Sequence, residues 1–497
     1  MKKAIVIGSG FGGLAAAIRL QASGFQTSIF EKRDIAGGRA YVYRDNGFIF
    51  DAGPTVITAP HCLEELFAIA GKKMEDYVEL LDVDPMYRLL WEDGFVFDYT
   101  NDEKRLMEQI RRKSPKDVDN YKRFLEYTHQ VFEEGYIKLA DVPFLNWWSM
   151  IRVTPQLTRL QSFKSTYRRV SDFIQDPHLR QAFSFSALLV GGNPYTTSCI
   201  YTLIHYIERK WGVYFAKGGT NQLVQGLVRL FEDIGGKIYY NKEIHEIKTI
   251  NGKVDGILTK DGETAHCDFV VSNAEIMHTY RDLLNKEKRV NRVRNKLEKS
   301  RFSMSLFVLY LGLDRQWPNL VHHNVMFGSR FKGLLEDIFY GNKLPDDFSL
   351  YVHAPSNTDK SLAPQGGEAL YALSPVPHLG NANIDWEKMA SKYADRIIDY
   401  MEERYMPGLR KSIQTQRVFT PNDFKNILNS HLGSVFSLEP TLTQSAYFRG
   451  HNRDPHIDGL YLAGAGTHPG AGMPGVINSA KATVEVILQD AHSLKVG

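Results

Sequence analysis

Few folds can use the pattern at the start of this chain. Ala4 to Ile7 reads as a short buried strand and Leu14 to Ala22 as a helix ended by Gly24. Between them stands Gly8-Ser9-Gly10-Phe11-Gly12-Gly13, and Thr27 to Phe30 follows as a second strand. A strand, a glycine-rich turn and a helix in this order make a βαβ unit whose helix N-terminus offers unpaired N–H groups to a phosphate. Gly8, Gly10 and Gly13 satisfy G-x-G-x-x-G. The first permits the tight turn, the second lets the backbone approach a pyrophosphate, and the third lets helix and strand pack closely. Glu31 ends the second strand eighteen residues after Gly13, where an acid binds a ribose hydroxyl. Gly8, Gly10, Phe11, Gly12, Gly13, Glu31 and its neighbour Lys32 are therefore candidate dinucleotide contacts.

Other function classes are excluded by simpler arithmetic. The 497 residues are 43% hydrophobic and 24% charged, ordinary values for a soluble protein. Lysine and arginine exceed aspartate and glutamate by a net +3, too little to indicate a nucleic-acid binder. Cys62, Cys199 and Cys267 form no disulfide framework and no CxxC metal site, so a reducing, cytoplasmic compartment fits, and no metal is expected. Met1-Lys2-Lys3 and the apolar stretch after them imitate a signal peptide. Gly8, Gly10, Gly12 and Gly13 interrupt that stretch, and Arg19 follows with no cleavable region. No apolar run reaches the ~18 residues of a membrane span; the longest, Phe302 to Leu313, reads as a buried strand.

Beyond residue 40 the rhythm changes several times. From about 75 to 210 the pattern is mostly helical. A helix from Asn221 to Ile234, a strand from Lys237 to Tyr240, turns at Asn251-Gly252 and Asp261-Gly262, and a strand from Phe269 to Ser272 follow. Residues 285–430 mix helices with strands such as Ser305 to Leu311 and Ala369 to Leu373. The end returns to strand (Leu460 to Ala463), glycine-rich loop (Gly464 to Gly475) and helix (Val476 to Leu488). The fold expected is α/β. A Rossmann-like nucleotide domain is assembled from residues 1–75, 215–285 and 430–497. An α+β substrate-binding and membrane-facing region from 76–214 and 286–429 is inserted into it. The one other G-x-G-x-x-G, Gly470 to Gly475, falls in the C-terminal loop and opens no second βαβ unit, hence no separate domain for a nicotinamide reductant is expected.

Glu31-Lys32-Arg33-Asp34-Ile35-Ala36-Gly37-Gly38-Arg39 resembles the E-x(5)-G-G-R segment of FAD-dependent amine oxidases and carotenoid desaturases. That resemblance implies FAD as cofactor, with Gly38 and Arg39 along its pyrophosphate. The Arg39 guanidinium suits bidentate phosphate contact. Asp51-Ala52-Gly53-Pro54-Thr55 resembles the D-x-G-P segment near the flavin ring, which implicates Gly53, Pro54 and Thr55. The stretch after Lys217-Gly218-Gly219-Thr220 implies an adenine contact at Ile244. Gly464, Gly466, Met473, Pro474 and Val476 fall in the loop that borders the flavin's ribityl chain and ring. Ala465-Gly466-Thr467 lacks the acid that amine oxidases usually carry there.

Four segments resemble the phytoene desaturase family in particular. They are Phe50 to Val56, Leu189-Val190-Gly191-Gly192-Asn193-Pro194, Phe419-Thr420-Pro421, and His468-Pro469-Gly470-Ala471-Gly472-Met473-Pro474-Gly475. The likeness runs over essentially the whole chain and is closest to lycopene-forming bacterial enzymes. It implies a C40 polyene substrate, phytoene and its partly desaturated products, and successive double-bond insertion with electrons passed to quinone or oxygen. It leaves open a neurosporene-forming enzyme, one acting on C30 or modified carotenoids, a carotenoid oxidase and an isomerase. No catalytic side chain stands out; His468 is the single weak candidate, by its place in the glycine-rich loop.

Such a substrate lies in a bilayer. Val142 to Val170 holds Arg152, Arg159, Lys164, Arg168 and Arg169 without an acid, interleaved with Phe144, Trp147, Trp148, Phe163 and Tyr167. Cations and interfacial aromatics of this kind suit peripheral attachment to a membrane surface. Pro143 and Pro155 are expected to break any single helix there.

Overall fold

A computed structural model describes residues 1–145 and 147–496, with side chains described to residue 492. Its first sheet is wholly parallel and gathers strands from far along the chain, in the order Leu460–Leu462, Phe269–Ser272, Lys3–Ile7, Gln26–Phe30, Lys237–Tyr239. A central parallel strand has both faces covered, so it reads as a continuous apolar run, as Ala4-Ile5-Val6-Ile7 does. Val6 and Ile29 face the helices Phe11–Ala22, Thr220–Asp233 and Met473–Val496. Ile5, Ile7 and Val270 face the opposite way, onto a three-stranded antiparallel sheet of Ile244–Ile250, Lys253–Thr259 and Thr264–His266.

The second sheet has seven strands, in the order Ile413–Phe419, Ser305–Leu313, Glu368–Val376, Leu350–His353, His323–Phe327, Tyr87–Trp91, Val96–Tyr99. Every pairing is antiparallel except that of His323–Phe327 with Tyr87–Trp91. All nine residues of Ser305–Leu313 are buried. Successive side chains alternate between faces. Phe307, Leu309 and Leu311 pack on the helix Trp386–Arg404, whereas Leu306 and Val308 line a cavity. That cavity lies between this sheet, the helical segments of residues 133–211 and the parallel sheet.

Three expectations need correction. The stretch 75–210 contains the strands Tyr87–Trp91 and Val96–Tyr99, which form an edge of the second sheet. Gly94, at φ +87°, supplies the turn between them, and the Asp93-Gly94 pair flanked by alternating apolar residues is a hairpin signal. Pro155 does not break its helix: Trp147–Arg159 runs through it. The last helix also starts earlier than its apolar periodicity suggests, at Met473. No helix among the described residues is long and apolar enough to cross a membrane.

Candidate active site

The first βαβ unit sets one end of the cavity. Gly8 turns out of the strand at φ +91°, and its N–H donates to Phe30 O at 2.9 Å. Gly10 then caps the helix without any side chain on its N-terminal amides. A Cβ on Gly13 would stand 2.0 Å from Gly8 O, and one on Gly12 2.7 Å from Asn273 Nδ2. Gly12 and Gly13 therefore tolerate no side chain, and the loop leaves a backbone cradle open to the cavity. Glu31 closes the side of this cradle. Its Oε2 accepts from the Ser9 N–H (2.9 Å) and Ser9 Oγ (2.6 Å), and its Oε1 from the Arg33 N–H (2.9 Å).

Arg39 stands across from the loop. Protein surrounds it, and its free surface opens into the cavity. Nη2 donates to Ser430 Oγ at 3.0 Å, but Nε is buried without an acceptor. Burial lowers the affinity of the guanidinium for its proton, and the nearby Glu275 carboxylate opposes that. A half-buried cation whose Nε has no acceptor and which faces a glycine cradle fits a pyrophosphate, which would supply both charge and oxygen atoms. Burial also dominates at Lys32, pulling its ammonium below the usual lysine range against Glu243 and Glu31.

Residues 51–55 are gripped by tyrosines of the second sheet. Tyr310 OH donates to Ala52 O (3.0 Å) and Tyr371 OH to Gly53 O (3.2 Å). Thr55 Oγ1 shares hydrogen bonds with Tyr351 OH (3.0 Å) and Tyr371 OH (2.9 Å). A Cβ on Gly53 would lie 2.5 Å from Arg39 O, so glycine lets these two segments touch. Asp51 is buried at the start of the helix Thr220–Asp233. Desolvation pushes its carboxyl up to about 7, against the N–H groups of Thr220 and Asn221.

The glycine-rich C-terminal loop forms the facing wall. Arg449, fully buried, donates from Nε (3.1 Å) and Nη2 (2.6 Å) to Ala465 O. The helix that follows begins at Met473, and its first turn faces the cavity. His468 donates from Nε2 to Leu139 O at 2.8 Å, while Nδ1 is buried without a partner. Desolvation lowers its imidazole to about 4, so the ring is neutral.

Sixteen of the eighteen expected cofactor contacts line this one cavity: Gly8, Gly10, Phe11, Gly12, Glu31, Lys32, Gly38, Arg39, Gly53, Pro54, Thr55, Ile244, Gly466, Met473, Pro474 and Val476. His468 lines it too. Gly13 and Gly464 do not. Gly13 packs beneath Gly8, and a Cβ on Gly464 would lie 2.6 Å from Asn273 Nδ2. Both glycines close the loops onto each other. Asn273, which bridges them by donating to Ala463 O at 2.8 Å, went unnoticed in the sequence, because a polar residue just after a strand carries no distinct signal.

From the phosphate end the cavity runs on into apolar territory. Its volume is about 620 Å³, within the range of enclosed ligand sites. The far walls include Leu189, Val190, Leu306, Val308, Val325 and Phe327. The polar side chains among these walls include Glu208, Tyr201, Tyr351, Tyr371 and Thr55. Behind Tyr351, three buried imidazoles meet. Tyr351 OH is 2.7 Å from His323 Nδ1, and His353 Nε2 is 3.0 Å from His322 Nε2. Burial keeps all three neutral.

A phosphate cradle opening into an apolar chamber defines a nucleotide-dependent enzyme for a hydrocarbon-like substrate, and comparison with known proteins agrees. Residues 11–488 match the model of the flavin-containing amine oxidoreductases. A lycopene-forming phytoene desaturase of Pantoea ananas is 55% identical over 490 residues, 99% of this chain and 100% of that protein. A neurosporene-forming phytoene desaturase of Rhodobacter capsulatus is 40% identical over 492 residues, 98% of this chain and 94% of that one. The crystal structure of an oxidoreductase from Methanosarcina mazei shares the fold, with a TM-score of 0.67 at 18% identity over 97% of this chain and 100% of that one. The chain belongs to the flavin-containing amine oxidoreductase family and, within it, to the phytoene desaturases.

Proposed function

We propose that the protein is an FAD-dependent phytoene desaturase that inserts successive double bonds into phytoene to give lycopene. The observation that carries this is the continuity of one cavity from the glycine cradle at residues 8–12 to the apolar walls at Leu306, Val308 and Phe327. Bound flavin supplies the two-electron oxidant. The N–H groups of Gly10 to Gly12 and the Arg39 guanidinium hold its pyrophosphate, Glu31 its ribose, and Ile244 its adenine. Gly53 to Thr55 and Gly466 to Val476 border its ring. Leu306, Val308 and their neighbours orient an uncharged polyene and exclude water, which keeps a reactive, electron-deficient carbon from being trapped. The 55% identity to a lycopene-forming enzyme, against 40% to a neurosporene-forming one, favours lycopene as product.

Electrons leave to a quinone or to oxygen, since the described residues form a single parallel sheet with one βαβ nucleotide turn, at residues 3–30. The enzyme works at a membrane surface. Trp147, Trp148 and Ile151 on the helix Trp147–Arg159 are exposed, while Met150, Val153 and Leu157 of the same helix line the cavity. One helix thus presents interfacial side chains outward and the substrate path inward. Arg152, Arg159 and Arg168 are exposed beside it. Lys164 and Arg169 are instead paired with Asp172, at 2.7 and 3.0 Å, and lend it less charge. Phe144 is buried against His468.

The test is an anaerobic incubation of FAD-loaded protein with phytoene in liposomes, with and without a quinone. Bleaching of the flavin and quinone-dependent lycopene are the expected results. Unbleached flavin and untouched phytoene, where a control desaturase works, would remove the assignment.

A further inference from the structure

Four carboxyl groups line the cavity: Glu31, Glu208, Glu243 and Glu275. Three are held by donors or cations of the protein. Glu31 is bound by Ser9 and Arg33. Glu243 pairs with Lys260 at 2.8 Å. Glu275 caps the helix after it, accepting from the Met277 and His278 N–H groups and from Ser437 Oγ. Glu208 differs. It is 1% exposed and sits on the helix Leu203–Trp211 beside Ile204 and Ile207, which also line the cavity. Its one protein partner is Tyr87 OH, which donates to Oε1 at 2.8 Å.

A lone carboxyl in an apolar chamber costs several kcal/mol when charged, and a hydrocarbon offers it nothing to bind. Chemistry explains it better than packing. Turning –CH2–CH2– into –CH=CH– breaks two C–H bonds. One leaves as hydride, both electrons going to the oxidised flavin, which is reduced. The other leaves as a proton, and its electron pair becomes the new π bond. That proton needs an acceptor inside the apolar chamber. We propose that Glu208 accepts the proton lost from the substrate carbon in each desaturation, with the Tyr87 hydroxyl as its positioning group. The carboxyl then returns the proton to water between cycles. This assignment rests on the desaturase reading given above.

The surroundings of Glu208 set its readiness. Tyr87 and Tyr99 face it from the strands Tyr87–Trp91 and Val96–Tyr99. Tyr351 and His323 lie beyond Tyr87, and His205 and Arg209 stand on its own helix. Both tyrosines are held well above their usual range and stay neutral. His205, lowered to about 3, is neutral as well. Arg209 donates to Thr100 O and acts on Tyr99 and His205, not on Glu208. Burial therefore dominates at Glu208 and raises its carboxyl to about 8, against the Tyr87 hydrogen bond. A base of this strength outcompetes His468, whose imidazole lies near 4 beside the Arg449 cation. The ionised fraction grows with pH, so turnover should rise with pH and level off above about 8.

The experiment is Glu208→Gln in the flavin-loaded enzyme, with phytoene in liposomes. Glutamine keeps the shape and still accepts from Tyr87. Turnover should fall about 10²–10⁴-fold, with KM for phytoene and the flavin absorbance unchanged and the pH rise abolished. Glu208→Asp should restore part of the rate and move the inflection. Without any turnover, infrared difference spectra of the wild type should show a protonated carboxyl band that titrates near 8 and is absent from Glu208→Gln. A Glu208→Gln enzyme within about threefold of wild type and with the same pH rise would overturn the proposal. If that variant fails to hold flavin, the wild type decides. A rate flat between about pH 6 and 9 sinks the idea, and an inflection shifted in Glu208→Asp upholds it. A wild-type enzyme that makes no coloured product from phytoene would fell the desaturase reading first, and this assignment with it.

Discussion

At one end of the cavity recognition is done by backbone; at the other it is done by side chains on alternate strand positions. The phosphate end uses glycines, two helix N-termini and a half-buried Arg39. The hydrocarbon end uses Leu306, Val308, Val325 and Phe327, each the inward half of a strand whose outward half is core. The two ends should therefore fail differently. A side chain added at the first end has nowhere to go, because its neighbours are backbone carbonyl oxygens and the hydrogen-bonded Asn273 amide. A side chain changed at the second meets other flexible side chains, which can repack.

Gly13→Val makes the sharpest break between them. Its Cβ would lie 2.0 Å from Gly8 O, so we expect a protein purified without flavin, read by absorbance. Arg39→Met comes next. Loss of charge-assisted contacts worth about 1.5–3 kcal/mol should weaken FAD binding about 10- to 150-fold in titrations of the apoprotein. Leu309→Ala should lower stability by about 2–5 kcal/mol in denaturant titrations, since Leu309 faces the helix Trp386–Arg404, yet leave the product unchanged. Its neighbour Val308→Phe should do the converse, with stability within about 1–3 kcal/mol of wild type. Flavin content should stay normal, while chromatography shows early, less desaturated products. Equal effects from the two adjacent substitutions would erase the contrast between the faces of the strand. The smallest effect is expected of Trp147→Ser with Trp148→Ser, both exposed. Sedimentation with anionic liposomes should drop several-fold, at about 1.5–3 kcal/mol of apolar burial per side chain at most. Turnover on detergent-dispersed phytoene should hold.

The same contrast explains what could be read from the chain. Gly8 to Gly13 and Glu31 were legible because their geometry is local: a turn, a helix start and a strand end at short spacing dictate where each group points, whereas Arg39 was legible through resemblance. Their distant partners at Ile244 and Met473 were legible only through resemblance. The substrate end was not legible. Every residue of Ser305–Leu313 is buried, so no alternation of polar and apolar residues marks which face meets the cavity. Glu208 was equally silent, standing in a helix between Ile207 and Arg209 like any surface glutamate. The strands Tyr87–Trp91 and Val96–Tyr99 were lost in a long helical context. Pro155 sits within its helix without ending it, and that helix holds no fully buried residue.

The parallel sheet joins Lys3–Ile7 to Phe269–Ser272, and that strand in turn to Leu460–Leu462, while the helix Met473–Val496 packs against Phe11–Ala22. A ribosome adding about 5–20 residues per second needs roughly 25–100 s to travel from the first of these elements to the last. Throughout that interval the glycine loop exists without its opposite wall, and the apolar faces of the early helix and strands lie open. Cofactor loading is thus an event after translation, and a chain stopped short of residue 460 would carry the whole nucleotide signature yet remain a client for chaperones and proteases.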